Sequence, residues 1–339
     1  MGAGVARRFS PIGLDFGARE LFAVQLVRDH AGVHVHRAAS PPISPEAESE
    51  SGDGADWLAL AWATLARRGF HGAQVALAAP SGSTKSSVVE CPRVDAPGAV
   101  DEIVRAELAR AHRLPVGGFE MAWWSLPGRP SKGAAVLACA CEHTVARGLD
   151  ERFAALGVEV AAIDLRSLAL ARACAHLLSP DTGVLDAIVE IGWDRSRVLV
   201  MGGGAVLYER ELSECNLTRV RDQIAGELMT DARVAERALF SVGGAGESGM
   251  LAPTVRACVS RLGETIGGEL GVSVSYAVRN YGLRSSGRVV CAGPGASIPG
   301  LDAVIEQDGG MHTGAWAAPG GGGVNPSMAV AWGLAARFD

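Results

Sequence analysis

The chain has 339 residues, of which 48% are hydrophobic and 20% are charged, a globular composition with room for about two domains. Its net charge of −6 gives no electrostatic basis for binding nucleic acid. Neither of its lysines, Lys85 and Lys132, follows a glycine, which excludes a Walker A phosphate loop. No apolar run reaches the ~18 residues of a membrane helix, and the seven cysteines form no C-x-x-C pair. We therefore expect a cytoplasmic protein with free thiols and no direct membrane insertion.

A meander of three short strands opens the chain. Alternating apolar residues predict these strands at 12–16, 21–27 and 33–37. Apolar residues at helical spacing predict a helix at 56–70, and a buried strand follows at 74–79. We assign residues 10–83 to a first lobe, together with 164–184, which hold a further helix at 167–178.

A different pattern occupies residues 84–163. It has the order β-α-β-β-α-β, with elements predicted at 87–91, 99–111, 119–126, 134–141, 143–156 and 158–164. Because this pattern lies between elements of the first lobe, we predict an inserted subdomain.

The second half of the chain begins again with strands. We predict two strands joined by a glycine turn within 185–201 and a third strand at 205–212, followed by helices within 219–240 and 253–281. A strand at 288–292 precedes helices at 300–307 and 327–337. These elements define a second lobe, 185–339, whose helical part spans about 213–284.

Two similar hairpins are the main functional signal. In each hairpin a carboxylate stands two residues before a glycine at the end of an apolar strand, Asp15 before Gly17 and Glu190 before Gly192. A glycine turn lets backbone N–H groups approach an anion closely, because no Cβ intervenes. Two such turns facing each other across a crevice could clamp a polyphosphate, and the carboxylates could hold Mg²⁺ through its water shell.

A third glycine turn, Gly293-Pro294-Gly295, follows the strand predicted at 288–292. Such a turn allows an adenosine to lie flat against the backbone. The three motifs, in this order along the chain, predict two similar α/β lobes around a shared nucleotide cleft.

These motifs resemble those of the actin-like ATPase superfamily, from Pro11 to Arg337. The insertion resembles that of the FtsA/PilM branch, because actin, sugar kinases and chaperone ATPases have no such module at this place. The resemblance implies an actin-like (ribonuclease H-like) α/β fold, with duplicated lobes around a nucleotide cleft and an inserted β-α-β-β-α-β subdomain. FtsA proteins carry a C-terminal membrane anchor, whereas this chain stops at Asp339 after its closing helix, so we expect the PilM type, a type IV pilus assembly protein.

The resemblance also implies that ATP and Mg²⁺ bind. The nucleotide-binding residues would be Asp15, Gly17, Ala18, Arg19, Glu190, Gly192, Trp193, Glu236, Gly293, Pro294 and Gly295, with Asp15 and Glu190 also holding Mg²⁺ through water. Several positions depart from the family pattern, which has Ser or Thr at Ala18, Asp at Glu190 and Gly at Ala292. No catalytic residue is assigned, and ATP hydrolysis stays open.

Two alternatives to a nucleotide-regulated scaffold remain. One is a degenerate pseudo-ATPase that acts only as an adaptor without nucleotide. The other is an active ATPase or a sugar-type kinase, for which Asp164 and Asp186 are the candidate catalytic bases.

The PilM resemblance implies a role at the inner membrane that is reached through partners. The family binds the cytoplasmic N-terminus of a PilN-like inner-membrane protein in a groove beside the inserted subdomain. Nucleotide would close the two lobes and so alter that groove. Self-association, and the choice between a pilus and a type II secretion system, are left open.

Two further motifs are assigned no function. Residues 244–249 fit G-x-G-x-x-G, but they follow a helical stretch instead of a strand, so we predict a surface loop. His34 and His36 lie on one face of a predicted strand and lack a third metal ligand, so we expect solvent-facing histidines.

Overall fold

The computed structural model describes residues 7–30, 32–43, 54–92, 97–127, 134–241, 251–283 and 285–338. It divides into two compact units. The first contains the described residues up to Ala169, Asn280–Gly282 and the residues from Val330 onward, and the second contains Leu170–Arg279 and Leu283–Ala329. The G-x-G-x-x-G segment lies outside the described residues.

A sheet built around the first predicted meander is the centre of the first unit. In chain order, the elements up to the unit boundary are β1 (Arg8–Phe9), β2 (Ile12–Phe16), β3 (Leu21–Asp29), β4 (Gly32–Ala39), α1 (Gly54–Arg67), β5 (Gln74–Ala78), β6 (Thr84–Cys91), α2 (Pro97–His112), β7 (Phe119–Leu126), β8 (Ala134–Glu142), α3 (His143–Ala154), β9 (Glu159–Asp164) and α4 (Arg166–Cys174). β2, β3 and β4 form an antiparallel meander. β5 pairs in parallel with β2, and β9 pairs in parallel with β5.

Two helices, α1 and α3, pack on this sheet through their buried apolar residues. Leu58 and Leu65 lie two helical turns apart on α1 and pack with Leu14 and Leu77 of the sheet. Phe153 of α3 belongs to the same core. Both helices therefore bury one apolar face against the sheet and leave the opposite face to solvent.

The inserted module has its own three-stranded sheet, in the order β6-β8-β7. Its strands are antiparallel, and α2 covers one face, where Val104 and Leu108 meet Val89, Val136 and the other core residues of the module. The order β-α-β-β-α-β is as predicted.

The predicted limits 84–163 of the inserted subdomain are wrong at their C-terminal end. β9 pairs with β5, so the last strand of the pattern belongs to the first sheet. α3 belongs there too, because Phe153 and the partly buried Leu149 and Leu156 pack into that sheet's core. Sequence periodicity identifies a strand but not its partner, and β9 is assigned here by its pairing.

The second unit repeats the topology of the first. Its elements are β10 (Val184–Ile191), β11 (Ser196–Gly202), β12 (Ala205–Leu212), α5 (Leu217–Leu228), α6 (Ala232–Ser241), α7 (Ala252–Tyr281), β13 (Ser285–Ala292), α8 (Leu301–Gly309), β14 (His312–Ala315) and α9 (Ala329–Ala335), the last running into the first unit. The sheet order is β12-β11-β10-β13-β14. β10, β11 and β12 form an antiparallel meander, and β13 and β14 continue in parallel, as β5 and β9 do in the first unit.

Among the described residues, the part of the second unit predicted to be helical, about 213–284, contains three helices. The region 219–240 holds two helices, because Met229 takes a left-handed conformation (φ 49°) and ends α5. The region 253–281 is one continuous helix of 30 residues, α7. Within the described ranges, none of the helices combines the length and apolar character that a membrane crossing requires.

The two units also differ from the predicted lobes at their ends. The described residues from Val330 belong to the first unit, not to the second lobe, because Gly333 packs closely on the backbone of Ala169. Residues 170–184, predicted in the first lobe, belong to the second unit, where Trp316 donates its indole N–H to the carbonyl of Ala173 over 2.8 Å.

Candidate functional site

The first predicted turn lies at the carboxyl end of β2. The backbone N–H of Gly17 donates to the carbonyl of Glu20 over 3.0 Å and closes the hairpin. A Cβ at Gly17 would lie 2.8 Å from the ring of Phe22 and 2.9 Å from that carbonyl oxygen. Glycine is therefore required here by local packing. Ala18, which follows, is exposed at the tip of the turn, and Arg19 is half-buried.

Asp15 is fully buried and paired with an arginine in the same unit. Both of its carboxylate oxygens accept from the guanidinium of Arg166, Oδ1 from Nη1, and Oδ2 from Nη2 over 3.0 Å. Arg166 is the first residue of α4 and directly follows β9. This two-point pairing is the strong form of an arginine–carboxylate contact.

The second predicted turn lies at the carboxyl end of β10. The N–H of Gly192 donates to the Oγ of Ser196 over 3.2 Å. The N–H of Leu217, the first residue of α5, donates to the carbonyl of Gly192 over 3.0 Å, and that of Thr218 donates to the carbonyl of Trp193 over 3.0 Å. A Cβ on Gly192 would lie 2.3 Å from the carbonyl oxygen of Arg195. The turn is thus closed on itself and fixed to the start of α5.

Glu190 also pairs with an arginine. It faces Arg197 across the β10–β11 ladder, and Nε of Arg197 lies 2.9 Å from its Oε2. Nη1 of the same arginine donates to Oε1 of Glu209 on β12 over 2.8 Å. Arg197 of β11 therefore bridges carboxylates on the two strands that flank its own, and the Glu190 and Arg197 side chains are both largely buried.

The glycine turn predicted for adenosine lies beside the second hairpin. Glu190 is in register with Ala292, so β10 and β13 end together. Gly293 has a positive φ of 79°, which glycine adopts readily. A Cβ at Gly293 would lie 2.6 Å from the carbonyl oxygen of Ile191, and one at Gly295 would lie 2.2 Å from its Cγ2. Pro294 starts a short 3₁₀ turn, Pro294–Ser297, which contains Gly295.

Glu236 lies on α6, on the helix face that also carries Phe240. The rings of Phe240 and Trp193 are 6.0 Å apart between centroids. Residues four apart share a helix face, so Glu236 is on the side of α6 that meets the second turn. Within the second unit, the hairpin turn, the glycine turn and this helix face therefore converge at the carboxyl edge of the sheet.

Ligands of open α/β sheets bind at the carboxyl ends of the strands. Glu190, Gly192 and the turn at Gly293–Gly295 lie at that edge in the second unit, and Asp15 and Gly17 lie at it in the first. In each unit the turns predicted to bind nucleotide therefore lie at the carboxyl edge of the sheet. That the two edges share one cleft stays a prediction.

The arrangement does not fit the predicted magnesium site. Both oxygens of Asp15 accept from Arg166, and Glu190 is paired with Arg197. An Mg²⁺ ion bound through water needs carboxylate oxygens that can accept from its water shell. Among the described residues, no group of three or more His, Cys, Asp or Glu side chains is placed to hold a metal ion.

Neither arginine was assigned a role from the sequence. Arg197 could have been found, because a hairpin turn at 192–195 places it opposite Glu190. Arg166 could not, because it lies far from Asp15 along the chain and only the parallel pairing of β9 through β5 brings it to the end of β2.

The two candidate kinase bases are engaged in structural contacts. Asp164 accepts from the N–H of Leu165 over 2.8 Å and lies 3.4 Å from the guanidinium of Arg337. Asp186 accepts from the N–H groups of Ser179 and Arg288 over 2.7 and 2.8 Å. Asp186 also lies near the start of β10, roughly 13 Å from Glu190 at ~3.3 Å per residue. The structure gives the sugar-kinase alternative no support at these carboxylates.

A cavity of about 470 Å³ lies at the amino edge of the second unit's sheet. It is lined by Asp186, Arg288, His312 and the end of the loop from His176 to Ser179. Its position is the opposite edge from the predicted nucleotide-binding turns.

The cysteines near this sheet are inert. Burial raises the pKa of Cys291, on β13, to about 12, and burial, Cys291 and Glu190 raise that of Cys174. A thiol with a raised pKa stays protonated at neutral pH and is neither a nucleophile nor a metal ligand.

The β-bulge in β4 changes the predicted position of the histidine pair. The register between β3 and β4 shifts between Arg37 and Val35, which leaves His36 at the bulge and places His34 opposite Val27. His36 packs on His71 and Phe9, with ring centroids 5.0 and 4.8 Å away. His36 is therefore half-buried in an aromatic cluster and is not the solvent-facing residue predicted.

The chain matches known proteins in fold but not in sequence. No protein family model matches it, and no curated protein is similar to it in sequence. Two α/β units with the same strand order, one carrying the three-stranded insertion, define an actin-like ATPase fold, as predicted, and solved structures of that class match the chain.

The match to a PilM structure confirms the predicted resemblance. PilM in a PilM–PilN type IV pilus biogenesis complex matches with a TM-score of 0.77 at 18% identity, over 97% of this chain and 98% of that one. The ethanolamine utilization protein EutJ of Carboxydothermus hydrogenoformans matches at TM-score 0.55 and 16% identity, over 97% and 89% of the two chains. MreB 5 of Spiroplasma citri, bound to AMPPNP, matches at TM-score 0.55 and 11% identity, over 98% and 96%.

Proposed function

We propose that this chain is a PilM-like adaptor of type IV pilus assembly or of a related type II secretion system. Its partner would be the cytoplasmic N-terminal peptide of a PilN-like inner-membrane protein, which would bring the adaptor to that membrane. The observation that carries the proposal is the match to PilM of a PilM–PilN complex over nearly the full length of both chains.

The inserted module offers a surface that suits such a peptide. On the sheet face opposite α2, Val88, Leu137 and Trp124 are cross-strand neighbours and form an apolar row. Val88 is 53% exposed. Glu90 and Glu120 lie on the same face and are exposed. This row favours an extended or helical peptide with apolar side chains flanked by basic residues.

Peptide titration tests this proposal. A labelled peptide from the cytoplasmic N-terminus of a PilN-like protein is titrated with the purified chain, and fluorescence anisotropy is measured. Val88→Glu should weaken binding about tenfold, because it replaces an apolar interface contact with a charge that the bound peptide would desolvate. Val272→Glu is the matched control, because Val272 is 58% exposed on α7 in the other unit. Absence of binding to the unmodified chain would refute the partner proposal.

We further propose that the chain binds ATP at the turns around Gly17, Gly192 and Gly293. The support is the convergence of the last two turns at one carboxyl edge, and the matching fold of MreB 5, whose structure contains AMPPNP. Nucleotide would regulate partner binding, because it would stabilise one arrangement of the two units.

Calorimetric titration with ATP tests the nucleotide proposal. Ala18→Glu puts a negative charge on the exposed tip of the first turn, so it should weaken binding of an anionic ligand. Ala63→Glu, at an exposed position of α1, is the matched control and should leave the affinity unchanged. Equal affinities of the two variants would contradict a nucleotide at this turn.

An adaptor without nucleotide is the second candidate. The pairing of Asp15 with Arg166 favours it, because the carboxylate expected to serve the metal–nucleotide complex is already neutralised. This candidate predicts peptide binding that does not change with ATP, together with no heat on ATP titration. Hydrolysis that Asp15→Ala abolishes would instead indicate an active ATPase.

A further inference from the structure

The two carboxylates expected to serve a metal ion share one structural property. Each is held by an arginine of its own unit, Asp15 by Arg166 and Glu190 by Arg197. The two pairs arise from different elements, a residue following the last parallel strand in the first unit and a hairpin neighbour in the second. Their common outcome is a fixed positive charge beside each predicted metal-binding carboxylate.

The pairing of Asp15 with Arg166 leaves no carboxylate oxygen available to a hydrated cation unless Arg166 moves. Asp15 is fully buried, and its two oxygens accept from two nitrogens of one guanidinium. A hydrated Mg²⁺ would have to displace Arg166, which would then lose its counter-charge in a poorly solvated position. Removing one partner of a buried ion pair is strongly unfavourable.

The second pair has additional support. Arg197 contacts Glu190 through Nε and Glu209 through Nη1, so two carboxylates hold it in place. Its side chain and that of Glu190 are 14% and 7% exposed. A metal ion at Glu190 would have to move an arginine that is fixed at two points on adjacent strands.

We propose that in each unit the arginine, Arg166 or Arg197, neutralises the carboxylate that would otherwise bind a divalent cation, so that a nucleotide binds to this chain without Mg²⁺. The nucleotide part of this inference rests on the proposed function. A guanidinium carries five N–H donors and matches phosphate oxygens in geometry. An arginine that pairs with a carboxylate through some of these donors can therefore also donate to a phosphate.

This arrangement has a consequence for chemistry. A divalent metal bridges phosphate oxygens and stabilises the charge that develops during phosphoryl transfer. Fixed arginines supply charge but do not orient a water nucleophile as a hydrated metal does. The chain would therefore bind nucleotide as a regulatory ligand and hydrolyse it slowly.

Calorimetry with ATP in two buffers tests the inference on the full chain. One buffer contains excess Mg²⁺ and the other contains EDTA. We expect affinities within about twofold of each other. A loss of about tenfold or more in EDTA would overturn the inference and leave ATP binding itself in place.

If ATP binds in neither buffer, the nucleotide proposal is refuted, but the claim that the arginines exclude a metal ion is not. A titration with Mn²⁺ in the absence of nucleotide then tests that claim. Free Mn²⁺ is followed by its electron paramagnetic resonance signal. The unmodified chain should take up no Mn²⁺, whereas Arg197→Gln should gain a site at Glu190. Arg195→Gln is the matched control, since Arg195 is in the same hairpin but exposed and paired with Glu211.

Each manganese result is decisive. Uptake by the unmodified chain, or an Arg197→Gln variant that folds and gains no site, would overturn the inference. Arg166→Gln is the corresponding variant in the first unit. If it fails to fold, as judged by circular dichroism, Arg197→Gln and the unmodified chain still decide.

Discussion

Gly13 of β2 lies directly against the backbone of Ala331 in α9. A Cβ added at Gly13 would be 2.0 Å from the carbonyl oxygen of Ala331 and 2.7 Å from the N–H nitrogen of Ala335. The closing helix can therefore lie on the first sheet only where the strand has no side chain. This contact explains why a helix at the end of the chain belongs to the unit formed by its beginning.

Gly13→Ala should destabilise the protein by about 1–3 kcal/mol, the usual cost of overpacking a filled core. The obstacle is backbone, which cannot rotate away as a side chain can. Urea denaturation followed by circular dichroism measures the change in the free energy of unfolding.

Gly148→Ala is the control for this prediction. Gly148 lies within α3, and a Cβ there meets nothing within 4 Å. The replacement should stabilise the helix by up to about 1 kcal/mol. Equal effects of the two alanines would show that the contact at Gly13 is not as close as described.

Local patterns in the sequence were sufficient to predict the two meanders. Alternating apolar residues and the glycines at 17 and 192 predict the strands of both hairpins to within about two residues, because hairpin pairing is local. The same is true of the turn at Gly293, whose glycine follows a strand with a buried apolar end, 289–292. These local features also placed the candidate turns at the carboxyl ends of β2, β10 and β13.

Pairings between distant segments could not be predicted in this way. β9 has the pattern of any buried strand, so its pairing with β5 was not apparent. The contact between Asp15 and Arg166 depends on that pairing. Small residues make α9 a helix that can pack closely, but they do not say on which sheet. The four-residue β14 is too short for periodicity to detect.

Most of the seven cysteines should not react with a thiol reagent in the native protein. All are free, and only Cys141 is not buried. Burial, followed by the charge of Glu142, raises the pKa of Cys141 as well, so its reaction should be slow. With Ellman's reagent at pH 8, the native chain should release about one equivalent and the denatured chain all seven.

Cys141→Ser should remove the native reaction, and Cys91→Ser should leave it unchanged. Both residues lie in the three-stranded sheet, and Cys91 is buried. Rapid release of several equivalents from the native chain would contradict the burial of this set.

Thermal stability should decline in mild acid because of His36. Burial is the largest cause that lowers its pKa, and the positive charges of Arg37, His71 and Arg7 lower it further. The hydrogen bond that it donates to the carbonyl of Gly69 raises the pKa, but by less. The unfolded chain then binds more protons than the folded chain just below the ordinary histidine pKa of about 6.5. The stabilisation is therefore complete above that pH and is lost as the pH falls through the lowered folded pKa.

The midpoint of thermal unfolding, measured from pH 8 to pH 5, checks this sign. His36→Gln should flatten the decline below pH 6.5, even if it lowers the midpoint at every pH by removing the ring contacts with Phe9 and His71. His30→Gln, at an exposed turn, should keep the slope of the unmodified chain. Parallel curves for all three proteins would refute the assignment.

Asp186 should be more sensitive to replacement by asparagine than by alanine. Its two oxygens accept from the N–H groups of Ser179 and Arg288, and a Cβ at the neighbouring Gly287 would lie 2.0 Å from Oδ1. Asparagine keeps one acceptor but turns its NH₂ group toward an N–H donor, so one buried donor faces another. Each unsatisfied buried donor costs about 1–3 kcal/mol.

Alanine leaves two N–H groups without the carboxylate, but it also leaves space beside them. The cavity of about 470 Å³ adjoins Asp186, so water can enter and accept from both groups. Asp186→Asn should therefore lower the free energy of unfolding by more than Asp186→Ala, the reverse of the order expected from the number of atoms removed. Asp181→Asn, which changes an exposed carboxylate that accepts from Gly183, should cost less than about 1 kcal/mol. Urea denaturation of the three variants tests this order, and a neutral Asp186→Asn would contradict it.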